Sequence, residues 1–391
     1  MDLVRLLQWM TSVTLFGVLT VFTGSILRTC CRRSVIIVMI LLKVIAVPLL
    51  GLSLVYFDSV FTWRYNLLLG GIYTALLGSA AADLLRLSTE LALRLFQKKG
   101  GYQGGNQKIR NWFRKYLGIR SGNLAEVLII LTVFLYGTVN MLIVTPRTWT
   151  VTSDRLEDSC KIVFLSDVHA GSAQSFSVIS KMMEDVKREQ PDLLVIGGDI
   201  TDEFTTKEEA EKVWELIGNT GLPTVFVWGN HDRQQLAGLA YGASYTEEEI
   251  TDMIENSGVR ILADEYYELR PDVVLFGRED RSVAERCKEI DPAENPSPDA
   301  FFVILDHQQL DGGSLSELGG DLQLSGHSHA GQYFPLELIY TLAGAYPSGS
   351  YRIGSSTLIV SDGASGWGNS FRNQGHCHYE VICLEPEKQE P

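Results

Sequence analysis

Cysteine is scarce in this chain, six residues in 391, and no two of the six form a C-x-x-C pair. Cys30 and Cys31 border an apolar run, while Cys160, Cys287, Cys377 and Cys383 lack the spacing of a small disulfide scaffold, so no disulfide framework is expected. Histidine is almost as scarce, at seven residues. Positive charge is outweighed in the C-terminal part: residues 150–391 hold 17 Lys and Arg against 42 Asp and Glu, a net −25. Such a surface argues against a nucleic-acid partner, because the phosphate backbone is bound by clustered Lys and Arg that displace counterions.

Basic residues concentrate instead in residues 1–149, 16 against 5 acidic, a net +11. The split predicts two domains in different surroundings, 1–149 and 150–391. Four apolar runs in the first part, Leu6–Leu27, Ser34–Phe57, Tyr65–Leu85 and Leu124–Thr145, reach the length of about 20 residues that a helix needs to cross a bilayer. The first run has no small-residue cleavage site and reads as a retained span. The expectation is a multi-pass protein of the cell membrane.

Arg28, Arg32 and Arg33, and nine basic residues from Arg86 to Arg120, mark two cytoplasmic loops, which places the N-terminus and the acidic domain outside. Trp9, Trp63 and Trp149 fall near span ends expected on the outer side. Lys43, Asp83 and Glu126 read as snorkelling or paired charges within a small bundle. Leu84–Phe96 has the spacing of a helix along the cytoplasmic surface, and "KKGGYQGGNQK" of a flexible turn.

From Lys161 onward short apolar runs alternate with helical stretches. "KIVFLSD", "DLLVIGGD", "TVFVWGN", "VVLFG", "FFVILDH" and "LQLSGH" read as strands, and Ser175–Glu189 and Lys207–Ile217 as helices. The alternation predicts an α/β domain with largely parallel pairing in its first half, and "YRIGSSTLIVSDG" and "HYEVICLE" predict antiparallel strands at the end. Asp167, His169, Asp199, Asn230, His231, His307, His327 and His329 each follow an apolar run. Ligands of open α/β sheets bind beyond the carboxyl ends of the strands, so these residues are expected to meet at one sheet edge.

Five of the seven histidines lie in these clusters, with carboxylates at Asp167 and Asp199 and an amide at Asn230. Neutral imidazoles combined with anionic oxygens suit first-row divalent ions such as Mn, Fe or Zn better than the all-oxygen sites of Ca. Mg is a further option. "DVH", "GD", "GNHD", an isolated histidine after a strand and "GHSH" stand in the order and spacing of the calcineurin-like metallophosphoesterases, which residues 160–385 resemble. "GHSHAGQ" and the four preceding runs narrow the resemblance to the transmembrane proteins with a metallophosphoesterase domain.

The resemblance implies an α/β sandwich holding two divalent metal ions: Asp167, His169 and His329 at one, Asn230, His307 and His327 at the other, Asp199 bridging. It further implies that His231 is a general acid or transition-state donor and that Asp232 orients it. Two departures concern the substrate. Gln309 stands where many relatives have proline, and "GNSFRNQGHCHYE" replaces a short closing turn, which brings Arg372 and Asn369 forward as phosphate contacts. "HCHY" at 376–379 mimics metal spacing but has no carboxylate partner, and reads as an ordinary loop or strand.

Three functions remain distinct. The leading one is a membrane-anchored phosphoesterase acting on a phosphorylated small molecule or lipid. A variant implied by relatives, hydrolysis of a UDP-linked diacylglucosamine, conflicts with the charge asymmetry because that substrate is cytoplasmic. A sensing protein with a vestigial fold should have lost ligands, and none is missing. A four-span transporter rests only on Lys43 and Asp83.

Overall fold

The computed structural model describes residues 122–387 except 236–241, 288–289, 291–293 and 310–318, together with scattered helical positions between 73 and 88. The chain divides after Thr138 into two compact units. The first two expected spans, most of the third, and the basic loops lie outside the described residues. The fourth meets helix α1 (Gly122–Asn140), which stops five residues short of the expected Thr145. Its end has a physical cause. The Asn140 side chain donates to the carbonyls of Arg372 and Gly375, and Val144 already pairs with Cys377 as a strand residue. Among the described residues no helix is long and apolar enough to cross a membrane.

The second unit holds twelve strands among its described residues. Five belong with the six-residue strand that opens the apolar pattern: β1 (Val144–Ser153), β2 (Cys160–Leu165), β3 (Leu193–Ile196), β4 (Thr224–Phe226), β5 (Arg260–Ile261) and the final β12 (Cys377–Pro386) form one sheet in the order β1-β12-β2-β3-β4-β5. The other sheet contains β6 (Glu265–Arg270), β7 (Val273–Gly277), β8 (Phe301–Leu305), β9 (Leu322–Ser325), β10 (Gly349–Ile353) and β11 (Ser356–Val360), in the order β10-β11-β9-β8-β7-β6. Pairing is parallel through β2-β3-β4-β5, as expected for the first half, and also through β11-β9-β8-β7, where the sequence pattern predicts only antiparallel pairing for β11. The tail strands are antiparallel where β10 meets β11 and where β12 meets β2.

Alternation along each strand builds the layers. Ile162 and Phe164 of β2 join Val195, Val303, Leu305 and Leu324 in the core between the sheets. Val163 and Leu165 point the other way, into a second core with α2 (Phe176–Arg188), α3 (Lys207–Gly218) and α4 (Glu247–Asn256). Strands buried on both faces read as continuous apolar runs. Helices α3 and α4 begin with reciprocal capping boxes, Thr206 with Glu209 and Thr246 with Glu249, which satisfy otherwise orphaned amides.

The expected α/β sandwich is present, with one difference: two sheets, not one, supply the polar strand ends. The edge strand β1, absent from the expected set, pairs in parallel with β12 over ten residues, and its half-exposed "VTPRTWTVTS" has Pro146 where only an edge tolerates it.

Candidate metal centre

Strands β2, β3 and β4 of the first sheet and β8 and β9 of the second end beside one another, and the loops that follow carry the histidines and carboxylates. Asp167, His169 and His329 lie together in one buried group, and Asp199, His307 and His327 in another. Asp199 faces both: its Oδ2 is 3.0 Å from His307 Nε2 and 3.9 Å from His169 Nε2. His169 and His329 approach within 3.3 Å at their Nε2 atoms, and His329 Nε2 is 3.4 Å from Asp167 Oδ1.

Each of three imidazoles is held from behind through Nδ1. His307 Nδ1 is 2.7 Å from the Gly197 carbonyl, His329 Nδ1 is 3.0 Å from the Ser365 carbonyl, and His169 Nδ1 is 3.2 Å from Asp202 Oδ2. Such partners fix ring orientation and aim Nε2 into the site. The Nε2 atom of His307 is buried and faces Asp199 Oδ2 at 3.0 Å without a well-directed hydrogen bond. A divalent cation would satisfy it, since the donors converging here, imidazole nitrogens and carboxylate oxygens, are those that first-row ions take.

The local backbone is strained where the ligands sit. Asp167, His169, Asp199, His327 and His329 all have positive φ, between 47° and 71°. Such conformations in non-glycine residues cost about 1–3 kcal/mol each and cluster at functional sites. Glycine is required beside them. A Cβ on Gly198 would stand 2.8 Å from His307 Nδ1 and 2.6 Å from the Gly229 nitrogen, and one on Gly326 would collide with Asp167 Oδ2.

Electrostatics separates the histidines. Burial pushes His327 down to about 4 and His329 to about 3, which keeps both in the neutral, ligating form. Burial works the same way on His307, but the Asp199 carboxylate outweighs it and holds that imidazole well above its ordinary range. Asp199 correspondingly lies well below the usual carboxylate range, because His307 and His231 overcome the cost of burial. A cation between them would take over the charge that His307 otherwise carries as a proton.

His231 stands apart from the two groups. Its backbone N–H donates to Asp199 Oδ1 at 2.9 Å, its ring packs edge-on to His169 and is tilted against Trp367 at 4.9 Å. Burial would lower it, yet the charge of Glu203, with Asp199, raises it to about 10. It is therefore held protonated near neutrality.

The structure corrects two expected roles. Asp232 does not touch the His231 ring. Its Oδ2 accepts from the amides of Asp199 and Gly229 and its Oδ1 from those of Ile200 and Thr201, so it ties the loop after β3 to the loop after β4. Four donors satisfy both oxygens and leave none for the imidazole. The carboxylate on His231 Nδ1 is that of Glu203. Arg372 is fully buried and donates to the carbonyls of Gln374, Gly363, Ser365, His329 and Asp362, bracing the loop over the site rather than reaching a phosphate.

Asn230 lies between Gly229 and His231 with its Oδ1 3.5 Å from Gln308 Nε2. Asn369 is buried against Tyr333, and Gln309 against the Tyr346 carbonyl. His376 and His378 meet Asn140 and Thr145 and take no part in the site. Asp202, Glu203 and Trp367 are site residues absent from the expected set. The signal for the first two was present: "GDITDE" places both carboxylates within four residues of Asp199.

The sequence pattern of the calcineurin-like phosphoesterases matches residues 160–331, the segment that supplies every one of these ligands. The segment of residues 160–331 belongs to that family. An uncharacterized metallophosphoesterase of Helicobacter pylori is 31% identical over 242 residues, 60% of this chain and 62% of its own length. A transmembrane protein with metallophosphoesterase domain from Bos taurus is 29% identical over 243 residues, 58% of this chain and 53% of its own length. The match thus spans less than two thirds of these relatives. Among solved structures, a dimetal phosphatase from Danio rerio aligns at 11% identity over 53% of this chain and 88% of its own, with a TM-score of 0.33.

Proposed function

We propose that the chain is a membrane-anchored phosphoesterase that hydrolyses phosphodiester, phosphomonoester or pyrophosphate bonds with two divalent metal ions, Mn, Fe or Zn before Mg. The observation that carries the reading is Asp199, whose one carboxylate faces His307 of one ligand group and His169 of the other. Asp167, His169 and His329 would hold one ion, Asn230, His307 and His327 the second, and Asp199 both. When bound, two such ions supply a water of lowered pKa and neutralise charge developing at phosphorus.

The chain's own residues then complete the chemistry. His231, protonated and aimed by Glu203, gives its proton from Nε2 to the departing oxygen. General acid help of this kind is worth about 10²–10⁴-fold. Asp202 holds His169, Asp232 keeps the two ligand loops in register, and Trp367 screens one face of His231. The four apolar runs and the name of the Bos taurus relative support anchoring in the cell membrane, and the basic loops between the runs support a placement of residues 150–391 outside. Substrates that are lipid-linked or nucleotide-linked follow from that placement.

The test is hydrolysis of bis-p-nitrophenyl phosphate and p-nitrophenyl phosphate by the full chain in detergent, stripped of metal and reloaded with Mn, Fe, Zn or Mg. Truncation at residue 150 is unsuitable because it would cut β1 in half. Activity that returns with metal and vanishes in Asp199→Asn establishes the reading. A folded protein inert with every metal on both compounds would sink it.

A further inference from the structure

The segment that follows His329 carries an exposed apolar face that the phosphoesterase chemistry does not use. Phe334 is 51% exposed, and on the short helix α5 (Leu336–Leu342) Leu338 is 57% and Leu342 79% exposed. Two more exposed apolar side chains, Leu142 at 58% and Ile143 at 54%, stand where the chain enters the unit. Glu337 is the one charged residue from Phe334 to Ala345.

These spots share one support. Asn140, two residues before Leu142, donates to the carbonyls of Arg372 and Gly375. The same loop accepts the Phe334 amide at Asn373 Oδ1, and its Asn373 and Gln374 amides donate to the Gln332 carbonyl. Both apolar spots therefore flank the Arg372–Gly375 loop. That loop also borders the metal centre, since Arg372 Nη2 donates to the His329 carbonyl at 2.8 Å. Gln332 in turn accepts from the amide of Trp367, the residue packed on His231.

We infer that Leu142, Ile143, Phe334, Leu338 and Leu342 form a second membrane contact, in which this face of the phosphoesterase unit lies in the lipid surface and sets the metal centre at headgroup level. The occupant is a bilayer because of what precedes the patch: the chain arrives there directly from the apolar stretch "LAEVLIILTVFLYGTV", behind three further runs of membrane-spanning length. An exposed apolar patch beside polar residues marks an interaction surface, and one continuous with a membrane-directed segment meets lipid first. The substrate class this selects is a phosphate ester on an amphiphile whose apolar part stays in the bilayer. The substrate assignment rests on the phosphoesterase reading; the docking itself does not.

The experiment uses the full chain in phosphatidylcholine vesicles with doxyl-labelled acyl chains, carrying dansylalanine at Leu338 or, as control, at Arg260. Arg260 lies on β5, at the opposite edge of its sheet from β1. An apolar helix face in the interface sits about 5–10 Å into the headgroup and acyl boundary. Quenching at Leu338 is therefore expected to exceed that at Arg260 several-fold. Equal quenching overturns the inference, as does an emission shift at Leu338 that follows protein concentration and ignores the doxyl label, the mark of a second copy on this face.

A companion measurement compares turnover of a long-acyl phosphodiester in the vesicles with that of soluble bis-p-nitrophenyl phosphate. Leu338→Glu combined with Leu342→Glu should lower the ratio about tenfold, and an unchanged ratio overturns the substrate assignment. Strong quenching without hydrolysis of either compound would leave the docking intact and remove the phosphoesterase reading.

Discussion

Both carboxylate oxygens of Glu203 lie 2.8 Å from Nδ1 of His231. The pair is buried, so neither member exchanges its partner for water at low cost. With Nδ1 engaged, the proton available for chemistry is on Nε2.

Glu203→Gln keeps the shape of this pair and removes its charge. Turnover is expected to fall about 10–100-fold, the usual cost of losing a group that supports a functional histidine, with metal content unchanged. Kinetics with metal analysis on the same sample checks both; loss of metal would mean that Glu203 is structural.

Asp232→Asn should behave differently. An asparagine offers one acceptor oxygen, so amides that now point at a carboxylate would face an NH₂ group. Each amide left unpaired costs about 1–3 kcal/mol. The expected result is a lower unfolding midpoint and weaker metal retention together, read by calorimetry and metal titration. A stable variant with a defect only in turnover would return Asp232 to the role of orienting His231.

Arg147 binds two buried acids at once. Its guanidinium meets Glu380 at 2.8 Å and Asp362 at 2.7 Å, across the register pair that joins β1 to β12. Arg147→Met would remove the cation that both carboxylates share, and breaking a buried pair from one side costs about 3–5 kcal/mol. Urea unfolding should show a correspondingly lower midpoint. An unchanged midpoint would mean that Arg372 alone compensates Asp362.

Asp362 also carries a pH signature. Burial works to raise its carboxyl, but Arg372 and Arg147 outweigh burial and hold it below the usual value of 3.8. A depressed folded value stabilises above the unfolded value and is lost as pH falls through the folded one. The stability difference between the parent and Asp362→Asn should therefore be full at pH 5 and above and shrink on acidification below about 3.8. A difference constant from pH 6 to pH 2.5 would show that the charge of Asp362 is not what stabilises.

The sequence by itself determined the apolar runs that became β2, β3, β4, β7, β8 and β9, because strands buried on both faces leave no polar interruption to misread. It also marked Asp167, His169, Asp199, Asn230, His231, His307, His327 and His329 as polar residues at strand ends, a local pattern, while the choice of seven of them as ligands came from the family resemblance. The edge strand β1 was not legible in that way, for its half-exposed alternation acquires meaning only beside β12.

Tertiary structure alone decided which carboxylate serves which partner. Asp202, Glu203 and Asp232 are equivalent in residue chemistry, and all lie near a ligand in the chain. One ended on His169, one on His231 and one on four backbone amides, because the crossing of the loops after β3 and β4 set the distances. The same holds for Arg372, whose charge suggested a phosphate and whose burial assigned it to backbone carbonyls. Strand patterns repeat over two residues and can be read locally; side-chain pairing spans tens of residues and is fixed only when the loops close.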